Sequence, residues 1–389
     1  MKICLHTLAR VLPALIGVLS VATTRAATHT NNPTVPAAGS SNAATPAAPI
    51  RHVFLLLLEN QSYAVTFGAH SPAPYLSSQL ASQGALLNQY YGIGHWSLDN
   101  YIALISGQAP NRQTQADCPI ISEFQPAQPR IDADGQALGH GCLYPASVQT
   151  LPDQLEAAGL TWKGYMEDMG NDPKRESATC GHSAVGSRER SYLATVHDKY
   201  AARHNPFIYF HRIIDDRARC AAHVVNLRQL STDLRSVQTT PNYVFITPNL
   251  CNDGHDARCI DGQPGGYGGI ETFLQKWVPA ITAAPAFKQD GLLIITFDES
   301  DQSGAEAASA CCGERGLPGA QLPPGVEGPG GGRVGAVLLS PHIRPGTVSS
   351  VPYNHYSLLR SVEDLFGLAH LGYAGQAGLQ PFGVDIFNR

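Results

Sequence analysis

Several features are missing from this 389-residue sequence, and each absence removes a class of function. There is no lysine- or arginine-rich stripe: 26 basic residues stand against 31 acidic ones, for a formal net charge of −5. Nucleic-acid surfaces need such a stripe, so that partner is excluded. No two cysteines have CxxC spacing, which argues against a zinc-thiolate centre. The glycine-rich segment 325–332 lacks the GxxxxGK(S/T) pattern, and it reads as a surface loop rather than a phosphate-cradling one. Beyond the first 26 residues no apolar run approaches spanning length, so stable membrane insertion is not expected.

The amino-terminal region divides in two. Lys2 and Arg10 give a positive start, residues 11–22 a short apolar run, and Thr24-Arg25-Ala26 a small-residue cleavage site. This is the pattern of a secretory signal over 1–26 and implies a secreted or periplasmic protein. Residues 27–50 are mostly Ala, Thr, Asn, Pro and Ser, too poor in apolar bulk to offset their ordering entropy, and read as a flexible linker. Residues 51–389 have the length and composition of one large domain with long insertions. Cleavage after Ala26 removes Lys2, Arg10 and Arg25, taking the net charge from −5 to −8.

Cys4 leaves with the signal, so eight of nine cysteines remain. An even number in an exported chain predicts disulfides. Cys118 with Cys142, and Cys251 with Cys259, form plausible local pairs. Adjacent Cys311 and Cys312 are expected to take separate partners, because a bond between neighbours strains the chain.

Four short apolar runs punctuate the domain: residues 52–58 (HVFLLLL), 242–247 (NYVFIT), 291–297 (GLLIITF) and 334–340 (VGAVLLS). Runs apolar at every position fit strands buried on both faces of a parallel sheet. Helix-like stretches lie between them at 101–105, 151–158, 270–281 and 356–365. The alternation predicts an α/β fold, a three-layer α/β/α sandwich around a mostly parallel sheet. Each run gives way to polar residues: Glu59-Asn60, then Asn249 and Asp253-Gly254-His255-Asp256, then Asp298-Glu299, then Ser340-Pro341-His342. Open parallel sheets bind ligands outside the carboxyl ends of their strands. Parallel neighbours would bring these groups to one rim.

Ser97 begins a helix-like stretch, in the segment Gly94-His95-Trp96-Ser97-Leu98-Asp99-Asn100-Tyr101. An ordinary helix cap accounts for a serine there, with Asp99 suiting the first turn. Equally, unpaired amides at a helix start attract phosphoryl oxygens, and a hydroxyl there faces a natural anion site. No GxSxG elbow surrounds Ser97, so acyl transfer is not indicated. A serine needs a base or metal to become nucleophilic. Glu59, Asn60, Asp298 and Glu299 offer oxygen ligands suited to calcium, magnesium or manganese.

As an ordered set, ENQSYAVTFG (59–68), HWSLDNYIALISG (95–107), HNPFIYF (204–210), TPNLCNDGHD (247–256), ITFDESD (295–301), SPHIRPG and YNHYSLLRSVEDLFGL resemble the bacterial phosphoesterase family. That family holds secreted acid phosphatases and non-specific phospholipases C within the alkaline phosphatase-like superfamily. The resemblance covers about 51–389 and implies an alkaline phosphatase-like fold. It implies that Ser97 is a nucleophile forming a phosphoenzyme. Glu59, Asn60, Ser97, Asp298 and Glu299 match the divalent-metal set, with Glu299 standing where the family often has aspartate. Asn100 is similar to an Asn that assists phosphate binding, and His95, His255 and His355 fall in motifs whose histidines line the phosphate pocket. Asp256 is either a metal ligand or the group that orients His255. The aromatics of HNPFIYF read as core.

The expected activity is therefore exported hydrolysis of a small phosphate monoester by an acid phosphatase. The runner-up is a phospholipase C acting on phospholipids; such relatives tend to be longer at the carboxyl end. A non-catalytic binding protein should have lost part of the Glu59, Asn60, Ser97 and Asp298 set. A sulfatase would need a CxPxR-type motif, which Ser97-Leu98-Asp99-Asn100-Tyr101 does not supply.

Overall fold

Successive side chains of a strand point to opposite faces, so a run apolar at every position needs cover on both sides. A computed structural model, which describes residues 50–303, 306–318 and 329–389, meets that need with an eight-stranded sheet. Its strands are β1 (His52–Leu58), β2 (Ala85–Leu87), β3 (Trp162–Met166), β4 (Val224–Asn226), β5 (Tyr243–Thr247), β6 (Gly291–Phe297), β7 (Ala336–Leu339) and β8 (Thr347–Ser349). They lie in the order β8-β2-β7-β6-β1-β5-β3-β4. Every residue of β1, β5 and β6 is buried. Truncating one of these side chains, such as Leu56, to alanine should cost roughly 2–5 kcal/mol.

The five strands from β6 to β4 are mutually parallel. Strand β7 departs from expectation by running antiparallel to both neighbours, β6 and β2. A parallel return needs a crossover element, and none occurs among the described residues between Phe297 and Ala336. Ser340 and His342 consequently lie at the opposite rim, where the Ser340 hydroxyl donates to the carbonyl of Gly291 at the start of β6 (2.7 Å).

The predicted helices form as α1 (Ser97–Ser106), α2 (Leu151–Ala157), α3 (Gly266–Ala283) and α4 (His355–Phe366). Helix α1 packs on α2 and α4, whereas α3 packs on the short helices at 75–80 and 285–290. Two separate helix groups and a sheet buried on both faces make an α/β/α sandwich. All ten residues of α1 are buried, so it is a core helix rather than an amphipathic surface one. It ends at Gly107, whose φ of 65° only glycine adopts freely and whose N–H returns to the carbonyl of Ala103.

Cys118–Cys142 and Cys251–Cys259 are bonded, as is Cys180–Cys220. Cys311 and Cys312 are bonded to each other, against expectation. The other six cysteines among the described residues are already paired, and Cys312 adopts a φ of 65° within the turn. The expected signal at 1–26 and the linker up to residue 49 lie outside the described residues. No helix among the described residues is long and apolar enough to cross a membrane.

Candidate active site

Strand register builds the rim. Leu58 pairs with Phe297, so the next residues, Glu59 and Asp298, emerge side by side. The Asp298 N–H donates to the Leu58 carbonyl and the Glu59 N–H to the Asp253 carbonyl, both at 2.9 Å. Three adjacent parallel strands, β6, β1 and β5, thus deliver acids to one edge. Asn60 leaves β1 at a φ of 53°, a left-handed conformation that asparagine tolerates. Its N–H donates to Asp298 Oδ1 (3.0 Å) and its Nδ2 to Glu299 Oε1 (2.8 Å).

Ser97 is the first residue of α1, preceded by Trp96 at a φ of 80°. Its hydroxyl caps nothing; it donates to Glu59 Oε2 at 2.7 Å. The first-turn amide of Leu98 is accepted instead by Asp117 Oδ1 (3.0 Å), which removes the capping explanation for the serine. Asn100 fastens the turn before it. Its Oδ1 accepts from the N–H groups of Ile93 and Gly94 (2.8 and 3.3 Å), and its Nδ2 donates to the Gly94 carbonyl (3.0 Å). Gly94 has to be glycine, because a Cβ would come within 2.6 Å of Asp99 Oδ2.

Behind Ser97 lies a second buried group. Glu59 Oε1 accepts from the Tyr101 hydroxyl (2.6 Å), and the His204 ring stacks on Tyr101 with centroids 5.2 Å apart. His204 Nε2 stands 3.3 Å from Glu59 Oε1, and its Nδ1 3.2 Å from Asp253 Oδ2. Burial pushes the Glu59 carboxyl well up, and the charges of Asp298 and Asp253 push it further. Asp253 and Glu299 are raised for the same leading reason, and Asp298 is lifted to about 6. Burial drives the His204 imidazole far down.

The three predicted histidines occupy different depths. His255 Nε2 meets Arg203 Nη2 at 3.2 Å and its Nδ1 meets Asp256 Oδ1 at 2.9 Å. An arginine N–H can only donate, so Nε2 accepts and Nδ1 carries the proton. Asp256 therefore orients His255. His95 is clamped between Glu299 Oε2 (2.5 Å) and the Ala307 carbonyl (2.6 Å), and burial lowers its pKa. His355 is fully buried behind the rim, between the Tyr90 hydroxyl (2.9 Å) and the backbone carbonyl of Asp298 (2.5 Å). Burial takes its pKa down to about 4.

A cavity of about 280 Å³ opens over Ser97, lined by Asn60, Trp96, Asp117, Arg203, His255 and others. His95, Asn100 and His355 are not among its walls. A larger cavity of about 700 Å³ surrounds Cys180 and holds none of these groups. The described part of the glycine-rich segment is not the surface loop expected. Gly330, Gly331 and Gly332 are buried, with the Gly331 carbonyl accepting from the Ser300 N–H (2.8 Å). A Cβ on Gly331 would sit 2.6 Å from the Gly92 backbone, so this close approach is what the glycine permits. Residues 325–328 lie outside the described residues.

Sequence reasoning missed Asp117, Arg203 and His204, and it placed Asp253 at the rim as a strand ending without giving it a role. His204 and Asp253 both lie inside the family motifs, and Asp253 alone of the two also follows a strand run. Asp117 and Arg203 follow no strand and carry no spacing signal.

The donor set fits a hard divalent cation. Asp298 Oδ2, Asp253 Oδ2 and both His204 nitrogens are buried without a hydrogen-bond partner. Ligand atoms of Glu59, His204 and Asp253 lie within 4.8 Å of one another. Four clustered, buried carboxylates repel each other until a cation neutralises them. Both Glu299 oxygens are taken by Asn60 and His95, so Asp298 is the better placed ligand of that pair.

The phosphoesterase family profile matches residues 70–369. A probable acid phosphatase from Kluyveromyces lactis is 26% identical over 333 residues, 84% of this chain and 60% of that protein. A phosphate-repressible acid phosphatase from Penicillium chrysogenum is 24% identical, covering 76% of this chain and 55% of that protein. A phosphatidylinositol-3-phosphatase from Mycobacterium tuberculosis is 27% identical, covering 88% and 85%. The chain thus spans less than two thirds of the two fungal relatives. Among solved structures, an alkaline phosphatase superfamily protein from Vibrio parahaemolyticus aligns with a TM-score of 0.48 at 12% identity, covering 87% of this chain and 73% of that one. With its profile matched across most of the domain, the chain belongs to the phosphoesterase family.

Proposed function

We propose that the chain hydrolyses phosphate monoesters as an exported acid phosphatase, through a phosphoserine on Ser97. The observation that carries this reading is the hydroxyl of Ser97, which lines an open cavity, donating to the buried carboxylate of Glu59. Glu59 takes the proton as Ser97 Oγ bonds to phosphorus and the bond from phosphorus to the alcohol oxygen breaks. His255 Nε2, which faces the cavity, is the position from which a proton reaches the departing alkoxide once the Arg203 N–H has turned to the phosphoryl group. His255 Nε2 then takes a proton from the water that attacks phosphorus, and Glu59 returns its proton to the Ser97 oxygen as the phosphoserine bond breaks. Asp256 holds the ring in orientation for both steps.

Glu59, Asn60, Ser97 and Asp298 are the residues that would hold a divalent cation, with His204 and Asp253 behind them. When bound, the cation lowers the pKa of the serine hydroxyl and offsets charge on the phosphoryl oxygens. Three bonded cysteine pairs, with the vicinal pair, fit an oxidising compartment outside the cytoplasm.

The second reading is a phospholipase C acting on phospholipids; the similarity to a mycobacterial phosphatidylinositol-3-phosphatase keeps lipid substrates in view. Purified wild type and Ser97→Ala would be assayed on a phosphate monoester, phosphatidylcholine and a sulfate ester, with and without chelator. The proposal expects monoester hydrolysis that is lost in Ser97→Ala and on chelation. Full activity in Ser97→Ala refutes the nucleophile; activity after exhaustive chelation refutes the metal; preference for phosphatidylcholine favours the phospholipase.

A further inference from the structure

The cavity over Ser97 is backed by acids, and a phosphate dianion entering it must find positive charge. Arg203 is the one arginine or lysine among its described lining residues. The side chain is 6% exposed, so its charge is not held there by solvent. Its Nε faces Asp117 Oδ2 at 3.5 Å, Nη1 donates to the Tyr192 carbonyl (2.8 Å) and Nη2 to His255 Nε2 (3.2 Å). The guanidinium also lies 5.3 Å from the Tyr192 ring centroid. These contacts leave part of a rigid fork of five N–H donors uncommitted among the described residues. That fork matches the spacing of phosphoryl oxygens, as an ammonium does not.

We propose that Arg203 binds the phosphoryl oxygens above Ser97, and that Asp117 is the positioning residue that aims it. This rests on reading the cavity as a phosphoryl-transfer site. Asp117 uses its two oxygens for two purposes: Oδ1 accepts the amide of Leu98, next to the nucleophile, and Oδ2 faces the guanidinium. Nucleophile helix and anion ligand are therefore referenced to one carboxylate. Asp117 is itself fixed, at a φ of 54° and immediately before the Cys118–Cys142 bond.

Binding is thereby coupled to chemistry. The N–H that Arg203 gives to His255 is exchanged for a phosphoryl oxygen when phosphate binds. His255 Nε2 is then released to face the attacking water. A purely structural arginine would tie the chain around Tyr192 to the core and leave phosphate affinity unchanged.

The test uses inorganic phosphate as the probe, on protein with its own metal content, by titration calorimetry and as a competitive inhibitor. Arg203→Ala should weaken phosphate binding at least about tenfold, as expected for losing a charge-assisted contact, with Arg203→Lys intermediate. Added guanidinium ion should restore part of the turnover of Arg203→Ala and none in wild type. Asp117→Asn keeps an acceptor for Leu98 and should raise KM more than it lowers kcat. If Arg203→Ala misfolds by stranding Asp117, the double variant Arg203→Ala with Asp117→Asn removes both charges and carries the measurement. Phosphate affinity within about twofold of wild type in a folded Arg203 variant overturns the inference, as does a wild type that binds no phosphate. Wild type that binds phosphate through Arg203 yet hydrolyses no phosphate ester sinks the proposed function and leaves this inference standing.

Discussion

Ser97 and Glu59 stand 38 residues apart in sequence, and the hydroxyl of one donates to Oε2 of the other at 2.7 Å. The contact exists because β1 carries Glu59 to the rim while α1 starts beneath it. Ser97 is thereby spent on a carboxylate rather than on a helix amide, and Asp117 takes over the amide. A serine recruited only to cap the helix would show the reverse pattern.

His255 and His355 should separate when each is replaced. His255 opens on the cavity, so His255→Gln should lower kcat by about 10²–10⁴ with the fold intact. His355 bridges Tyr90 and the Asp298 carbonyl in the interior, so His355→Gln should cost about 1–3 kcal/mol of stability and reduce activity less. Steady-state kinetics beside urea unfolding of both variants checks the split. A larger loss of kcat in His355→Gln than in His255→Gln would reverse the assignment.

The Cys118–Cys142 bond closes 24 residues of chain directly after Asp117. Replacing both cysteines with alanine should lower stability by roughly 3 kcal/mol in the chain-entropy account. Because Asp117 then loosens, KM should rise as well. Unfolding curves and KM measured together test this, and a variant with lower stability but unchanged KM would uncouple the disulfide from the site.

Glu363, in α4, supplies a pH dependence of stability away from the site. Burial raises its folded-state pKa from the ordinary 4.5 to about 9. Between those values the folded state holds a proton that the unfolded chain has released, so stability falls as pH rises through the window. Glu363→Gln keeps an acceptor for the Leu371 amide and removes the titration. The melting temperature should therefore drop less in Glu363→Gln than in wild type between about pH 5 and about pH 8. Equal slopes would exclude Glu363 as the cause.

What could be read in the sequence was whatever local pattern decides. Continuous apolar runs gave β1, β5 and β6, and their polar endings placed Glu59 and Asp298 together, since parallel register alone fixes that. The direction of β7 was not legible, because strand polarity depends on the connection and not on the strand. Asn100 shares a motif with Ser97, and His355 lies in another of the family motifs, yet both side chains turn inward, and motif membership carries no depth. Arg203, in a short 3-10 helix, and Asp117, at the end of another, meet only once the chain is folded. Cys311 and Cys312 bond to each other once the other six cysteines among the described residues are paired, which depends on the other pairings and not on local spacing.

The most direct test of a phosphoserine mechanism is to trap the covalent intermediate. Wild type is mixed with a labelled phosphate monoester, quenched in acid within a turnover, digested and sequenced by mass spectrometry. Phosphate should appear on Ser97 in wild type and be absent in Glu59→Gln, where the acceptor of its proton is lost. Steady turnover with no label on Ser97, or label on a different residue, contradicts the mechanism.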